Sequence, residues 1–490
     1  MKKFFRRLLL LALAIVCALA GIITYNTLRF SSRQLSVAPV EKIPIDDAYI
    51  KRLQQAIRIP NISYEDHIDS SAFRQMNQLL ATQFPLVDSL LEKKTFNEFS
   101  HLYRWAGKSA ELKPILLMAH LDVVPIEAAT KDNWQQEPFS GTIADDQIWG
   151  RGTLDDKGSV LGILEAVELL LAEGYRPERS IYLAFGHDEE ISGRGGAAVM
   201  ANYLKEQKVQ LEYVLDEGMV IIDGALPGLS QPVALIGISE KGYTTLDLTV
   251  QLENGGHSSM PPAETAIGIL SDAILTLRQH PFPAHFEGPM LELIQHVGPE
   301  MSMPNKAIFA NLWLFDGILK GQFAKSNSAN AIIRTTTAPT VFTSGVKDNV
   351  LPSRAEAKIN FRIRPGETTE TVRAYVEQTI NDERVQVAIA NPAFSSNPSP
   401  ISSTNSFGFN VLSKTIKEIF PTAILSPSLV IAATDSRYYT TVSDDVYRFF
   451  PVHLQNEDLS RIHGIDERIG VEAYKDAIRF YRQLILNSCK

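Results

Sequence analysis

Between residues 114 and 217 short apolar runs alternate with amphipathic ones, and three of the apolar runs stop abruptly at histidines and carboxylates. Ile115–Ala119, Ile181–Gly186 and Tyr213–Leu215 read as buried strands, and Ser159–Leu171 and Gly196–Lys205 read as the helices between them. Strand–helix–strand alternation predicts an α/β fold with a mostly parallel, helix-covered sheet. The first strand runs into His120 and Asp122, the second into His187, Asp188, Glu189 and Glu190, the third into Asp216 and Glu217. The turn GRGTLDDKG adds Asp155 and Asp156 just before a helix. In such sheets ligands bind at the carboxyl ends of the strands, so these groups converge on one face. So many carboxylates repel one another unless a cation lies among them. Imidazole and carboxylate without thiolate suit zinc, cobalt or manganese. Cys17 and Cys489 are the only cysteines, too few for a multi-cysteine zinc site. One HxD or Glu-Glu pair is an ordinary turn or surface feature. Several at successive strand ends point to a metal centre.

The rest of the 490-residue chain organises around that segment. MKKFFRR precedes an unbroken apolar run from Leu8 to Ile23, a length between a signal-peptide core and a spanning helix. The basic flank favours an inside N-terminus and an exported remainder. Continuation of the run past Ala18-Leu19-Ala20 favours an uncleaved anchor, with a signal peptide cleaved near Ala20 as the alternative. Residues 1–33 hold six of the 47 basic side chains and no acid, which leaves 41 basic against 56 acidic side chains, a balance of −15. Such a surface argues against a nucleic-acid partner. Residues 241–252 alternate like a half-exposed strand, and a helix at 263–278, an irregular region around Trp313-Leu314-Phe315, strands near 331–343 and 355–363 and a helix at 368–380 follow. These predict a smaller α+β layer inserted into the larger domain. Trp313, Leu314, Phe315, Phe323 and Phe342 are expected to form its core, or else an apolar pocket for a fatty chain. Residues 391–406, rich in Ser, Pro and Asn, read as a connector. The expected division is 1–28 anchor or signal, 29–45 linker, 46–240 and 396–490 catalytic domain, and 241–395 inserted domain.

Nine motifs together resemble the di-zinc aminoacylase and carboxypeptidase family, nearest in look to carboxypeptidase S and the secreted N-fatty-acyl-amino-acid synthase/hydrolases. They are MAHLDVVP (118–125), WGRGTLDDKG (149–158), FGHDEEISG (185–193), LDEG (215–218), GHSSMPP (256–262), NAIIRTTT (330–337), NFRIRPG (360–366), TDSRYY (434–439) and RIHG (461–464). The resemblance spans about residues 46–487 and implies a zinc-binding α/β domain with an inserted lid or dimerisation domain. It implies two Zn2+ per chain, with Co2+ or Mn2+ as substitutes. Asp155 would bridge them beside a cis peptide bond, with His120 and Glu217 completing one site and Glu190 and His463 the other. Asp216 remains an alternative to Glu217. Asp122 would accept a hydrogen bond from the His120 ring. Glu189 would serve as general base on the attacking water. His257 would stabilise the oxyanion, often in the partner subunit's site. Arg362 would grip a substrate carboxylate in its planar fork, with Asn330 as a further donor and Arg437 as a candidate for the same anion.

The expected activity is hydrolysis of an amide bond next to a free C-terminal amino acid, in a short peptide or an N-acyl amino acid. A dipeptidase or a deacylase of small acetylated amino acids is the alternative among enzymes. A binding ectodomain that has lost its chemistry is the alternative outside them, opposed by the intact ligand set and Glu189. Expected partners are the substrate, the membrane through the N-terminal segment, and a second copy of the chain through the lid.

Overall fold

All six residues of strand Ile115–His120 are buried, as a strand with helices on both faces requires. The computed structural model describes residues 1–224 and 228–490. Ile115–His120 pairs in parallel with Ile181–Gly186 and Val214–Asp216, and the latter with Val446–Arg448. Alternate side chains point to opposite faces. Leu117 and Ala119 join one core with helices Lys157–Ala172 and Val471–Ser488, while Leu116 and Met118 meet helix Ala197–Glu206 on the other side. Among the described residues this sheet has ten strands and is mixed. Hairpin Glu92–Phe96 and Ser100–Trp105 is antiparallel along one edge, and Val233–Glu240 pairs antiparallel with Val446–Arg448 but parallel with Ile424–Val430. The helix-covered α/β architecture is therefore as expected.

A second, four-stranded antiparallel sheet runs in the order Thr336–Ser344, Arg354–Ile363, Gly242–Gln251, Val385–Ile389. Gly242–Gln251 alternates between buried and partly exposed positions, the pattern of a sheet wet on one face. Leu246, Leu248 and Phe361 pack with helices Ala266–Gln279 and Thr369–Ile380 into a separate core.

The stretch between these elements differs from expectation. Instead of irregular chain it forms helices Pro289–Val297, Asn305–Ala310, Leu312–Phe323 and Asn327–Ile333. These belong with the large sheet: Met290, Ile294 and Ile333 are buried in its core, and Leu312, Leu319 and Phe323 pack against it. Trp313, Leu314 and Phe342 are exposed, so the aromatic cluster expected as core of the insert does not form. The helices are short, and Leu312–Phe323 is apolar on both sides, which blurs the periodicity that marks a core-facing helix.

The chain passes between the two cores four times, and each passage is bonded to another. Tyr243 and Ser396 exchange backbone hydrogen bonds of 2.8 Å in both directions. The Lys241 ammonium, whose pKa burial lowers to about 7, donates to the carbonyls of Ala331 and Arg334 at 2.9 and 2.8 Å. The His285 N–H donates to Ile333 O at 2.8 Å, and Arg334 to Phe282 O at 3.0 Å.

At the other extreme of the chain, Lys2–Arg29 is one continuous helix, long and apolar enough to cross a membrane by length and composition. Thr27 is its only buried residue.

Candidate metal centre

His120 closes its strand with a buried ring. Nε2 lies 2.8 Å from Asp155 Oδ1 and 3.4 Å from Glu217 Oε1. Nδ1 is 3.0 Å from the backbone carbonyl of Asp122 and 3.3 Å from its carboxylate Oδ1. The carbonyl is thus the nearer acceptor, and an N–H on Nδ1 leaves the Nε2 lone pair aimed at the acids. The Asp122 carboxylate is buried and accepts elsewhere: Oδ2 from Ser63 Oγ at 2.6 Å and Glu190 N at 3.1 Å, Oδ1 from Glu189 N at 3.2 Å. It ties the first strand end to the turn that carries Glu189 and Glu190.

Asp155 faces a second histidine. Its Oδ2 is 3.0 Å from His463 Nε2, which is itself 3.2 Å from Glu190 Oε2. The Asp155–Asp156 peptide bond is cis. Asp216 turns away to accept from Ser436 N at 3.0 Å, while Glu217 faces His120. Ligand atoms of His120, Asp155 and Glu190 lie within 4.8 Å of one another, as do those of His120, Asp156 and Glu217.

Electrostatics show how much positive charge this cluster demands. Burial pushes Glu217 up to about 8, with Asp155 adding to the shift. Burial and neighbouring acids hold Glu189 and Asp156 well above the carboxylate range. Burial also opposes ionisation of Asp155, but hydrogen bonds from His120 and His463 outweigh it and lower its pKa. His463 is pushed up to about 10 by Asp155 and then Glu190. Among the described residues, Glu190 Oε1 and Asp156 Oδ1 are buried without a hydrogen-bond donor. Such oxygens are costly to leave unmatched. Histidine nitrogen and carboxylate oxygen in this arrangement fit divalent metal ions.

The centre is assembled by residues absent from the sequence expectation. Glu467 Oε1 accepts from the N–H groups of Gly152 and Leu154 at 3.0 and 2.8 Å, holding the turn that presents Asp155. Its Oε2 pairs with Arg151 Nη1 at 2.5 Å, and Arg151 Nη2 donates to the carbonyls of His463 and Gly464 at 3.1 and 3.0 Å. Asp435 is buried near Asp188 and Asp216 and fits only because residue 193 is glycine: a Cβ there would lie 1.7 Å from Asp435 Oδ1, and φ is +65°. Ser63 and Glu467 carry no local signal of these roles; Arg151 stood in the WGRGTLDDKG motif and Asp435 in the TDSR motif, neither with a role assigned.

Among the described residues, no hydrogen bond or ion pair joins the residues expected around the substrate to the ligand side chains of this cluster. Arg437 donates to Ser192 O at 2.9 Å beside the Glu189–Glu190 turn. Arg362, on strand Arg354–Ile363, stacks over Tyr243 at 4.9 Å. Burial lowers its pKa and the Arg437 charge adds to this, so the two guanidinium groups sense each other. Asn330 is partly exposed in helix Asn327–Ile333. His257 is exposed, its Nδ1 2.8 Å from Ser259 Oγ, and no hydrogen bond or ion pair joins it to the acidic cluster among the described residues.

The sequence profile of peptidase family M20/M25/M40 matches residues 116–487. The chain belongs to this family. Among its relatives is the N-fatty-acyl-amino acid synthase/hydrolase PM20D1 of Xenopus tropicalis, 44% identical over 444 residues that cover 90% of this chain and 85% of the relative. Probable carboxypeptidase S-like 2 of Dictyostelium discoideum is 41% identical over 478 residues, 95% and 91% of the two chains. The M20 family metallo-carboxypeptidase Sso-CP2 from Sulfolobus solfataricus shares the fold with a TM-score of 0.64 at 18% identity, covering 90% of this chain and 99% of that one. This M20 chain is therefore a metallopeptidase-type hydrolase of amide bonds, and its cluster of histidines and carboxylates provides the candidate metal ligands.

Proposed function

We propose that the protein is a di-zinc enzyme cleaving the amide bond next to a free C-terminal amino acid, in N-acyl amino acids or short peptides. The observation that carries this reading is the Asp155 carboxylate, whose two oxygens lie 2.8 and 3.0 Å from two different histidines. His120, Asp155 and Glu217 would hold one ion, and Asp155, Glu190 and His463 the other, with cobalt or manganese as substitutes. Bound there, the ions supply Lewis acidity that polarises the carbonyl and acidifies the attacking water. Glu189 takes the proton from that water and delivers it to the leaving nitrogen. Asp122 positions Glu189 through its backbone N–H and steadies the His120 ring. The guanidinium groups of Arg362 and Arg437 suit a carboxylate, and Asn330 adds a donor. His257 donates to the oxyanion as the tetrahedral centre forms. We take 241–395 as the region carrying the lid and dimer contacts, with His257 reaching the partner subunit's site. Lys2–Arg29 serves as an uncleaved anchor with the enzyme exported.

The N-acyl-amino-acid name of the Xenopus relative favours acylated substrates. Assaying Gly-X dipeptides beside N-lauroyl amino acids, with and without chelator, tests the reading. Hydrolysis that a chelator abolishes and zinc restores is expected, with the lauroyl substrates preferred. Activity untouched by complete removal of metal would sink the metal mechanism, and inactivity of metal-loaded protein on every substrate would favour a binding ectodomain.

A further inference from the structure

The exposed side of helix Leu312–Phe323 is an apolar surface that the proposed chemistry does not use. Trp313, Leu314 and Ile318 are 56%, 42% and 71% exposed, and Gly317 and Gly321 continue the same stripe. Positions i, i+1, i+4, i+5 and i+8 lie along one side of a helix. None carries a charge. The opposite side, through Leu312, Leu319 and Phe323, is already packed on the large core. An apolar stripe on the outside of a helix that has satisfied its inside needs another partner.

Its position names that partner. Residue 311, immediately before the helix, is the place where the N-terminal helix meets the body. Asn26 Nδ2 donates to Asn311 Oδ1 at 2.9 Å, and Asn311 Nδ2 is 3.3 Å from Ile23 O and 3.4 Å from Thr27 Oγ1. Trp313 Nε1 donates to the same Asn311 Oδ1 at 3.2 Å. From Leu8 to Tyr25 the N-terminal helix has eighteen residues without a charge. At about 1.5 Å per residue they match a hydrocarbon thickness of about 30 Å. The polar contacts at Ile23, Asn26 and Thr27 therefore fall where hydrocarbon gives way to headgroups. Tryptophan with its ring in apolar surroundings and its N–H bonded is the residue favoured at that depth. Lys320 pairs with Asp316 at 2.8 Å, which leaves Lys306 and Lys325 as the net positive charge of residues 305–325, a sign that suits anionic lipid.

We propose that the exposed face of Leu312–Phe323 is a membrane-docking surface that lies on the bilayer beside the exit of the N-terminal helix, with Trp313, Leu314 and Ile318 in the interfacial layer. The occupant is lipid, and the helix lies along the membrane rather than across it. The inference rests on the anchor reading of Lys2–Arg29, and the test separates the two. Full-length metal-loaded protein would be reconstituted into vesicles of phosphatidylcholine with a minority of phosphatidylglycerol, with or without bromine on the acyl chains near the headgroup. Protein with Trp313→Phe serves as the reference for the other three tryptophans, Trp105, Trp134 and Trp149. The fluorescence difference between the two proteins is expected to fall at least about twofold in brominated vesicles, as for an indole in the interfacial layer. Carbonate-resistant protein in which that difference is unquenched overturns the docking surface and leaves the anchor standing. Protein fully extracted by carbonate overturns the anchor, and the docking surface with it, since nothing then holds residue 313 at the bilayer.

Discussion

Glu189 and His463 make the sharpest claims at the scale of single residues. If Glu189 moves the proton, Glu189→Gln should lower turnover by about 10²–10⁴ while metal content measured by elemental analysis stays at the wild-type level. Retained turnover would assign the base elsewhere. His463, raised from 6.5 to about 10 by Asp155 and Glu190, is a cation in the metal-free protein near neutral pH. Metal must displace its proton, so affinity should rise with pH up to about 10, and loading should release a proton into weakly buffered solution. The sign for stability is opposite. Because the folded pKa is raised, the His463 contribution to the metal-free fold is full below pH 6.5 and is lost as pH climbs through about 10. Chelator competition and thermal melts across that window check both. His120, Glu190 and Glu217 stood out in the sequence because charged groups after an apolar run are a local anomaly, and Asp155 because two acids share one turn before a helix; their division into ligands came from the family resemblance. Ser63 and Glu467 did not, because what each of them does depends on a partner dozens to hundreds of residues away.

At the scale of elements, the turn bearing Asp155 and the loop bearing His463 are separate in sequence and are joined by the buried Arg151–Glu467 pair. Glu467→Gln keeps an acceptor for the turn but removes the charge facing Arg151. It should weaken metal binding by about 10–100-fold, as loss of a partner behind the ligands does, while the protein remains folded. Competition against a chromogenic chelator, with circular dichroism as the folding control, measures this. Unchanged affinity would mean the cis-linked turn holds its shape without Glu467. The parallel strands and their helices were readable since burial on both faces leaves unbroken apolar runs. Hairpin Glu92–Trp105 was not, because Glu92–Phe96 is largely exposed and owes its extension to pairing with its neighbour. The helices of 289–333 escaped for a different reason: their apolar residues serve the large core from inside a stretch flanked by the second sheet.

For the molecule as a whole, His257 decides the relation between its parts. It is exposed on the two-residue strand Gly256–His257, and among the described residues no hydrogen bond or ion pair joins it to the cluster it is proposed to serve. Loss of an oxyanion donor should lower the turnover of His257→Ala by about 10²–10³. If the donor comes from the partner subunit, mixing inactive His257→Ala with inactive Glu189→Gln should restore up to about a quarter of activity, through hybrid twofold dimers in which one site is complete. Proven subunit exchange without recovery would confine His257 to its own chain or outside catalysis.

The waist between the two cores bears on how His257 can travel. Four chain passages stitched edge to edge, with the Lys241 ammonium closing one seam, form a leaf rather than a cord. A leaf flexes readily about one line and resists twist and sideways slip, because those motions shear its hydrogen bonds. If His257 serves the reaction as proposed, such a waist would confine its tip to a single arc, and its approach to the carbonyl would be a matter of angle.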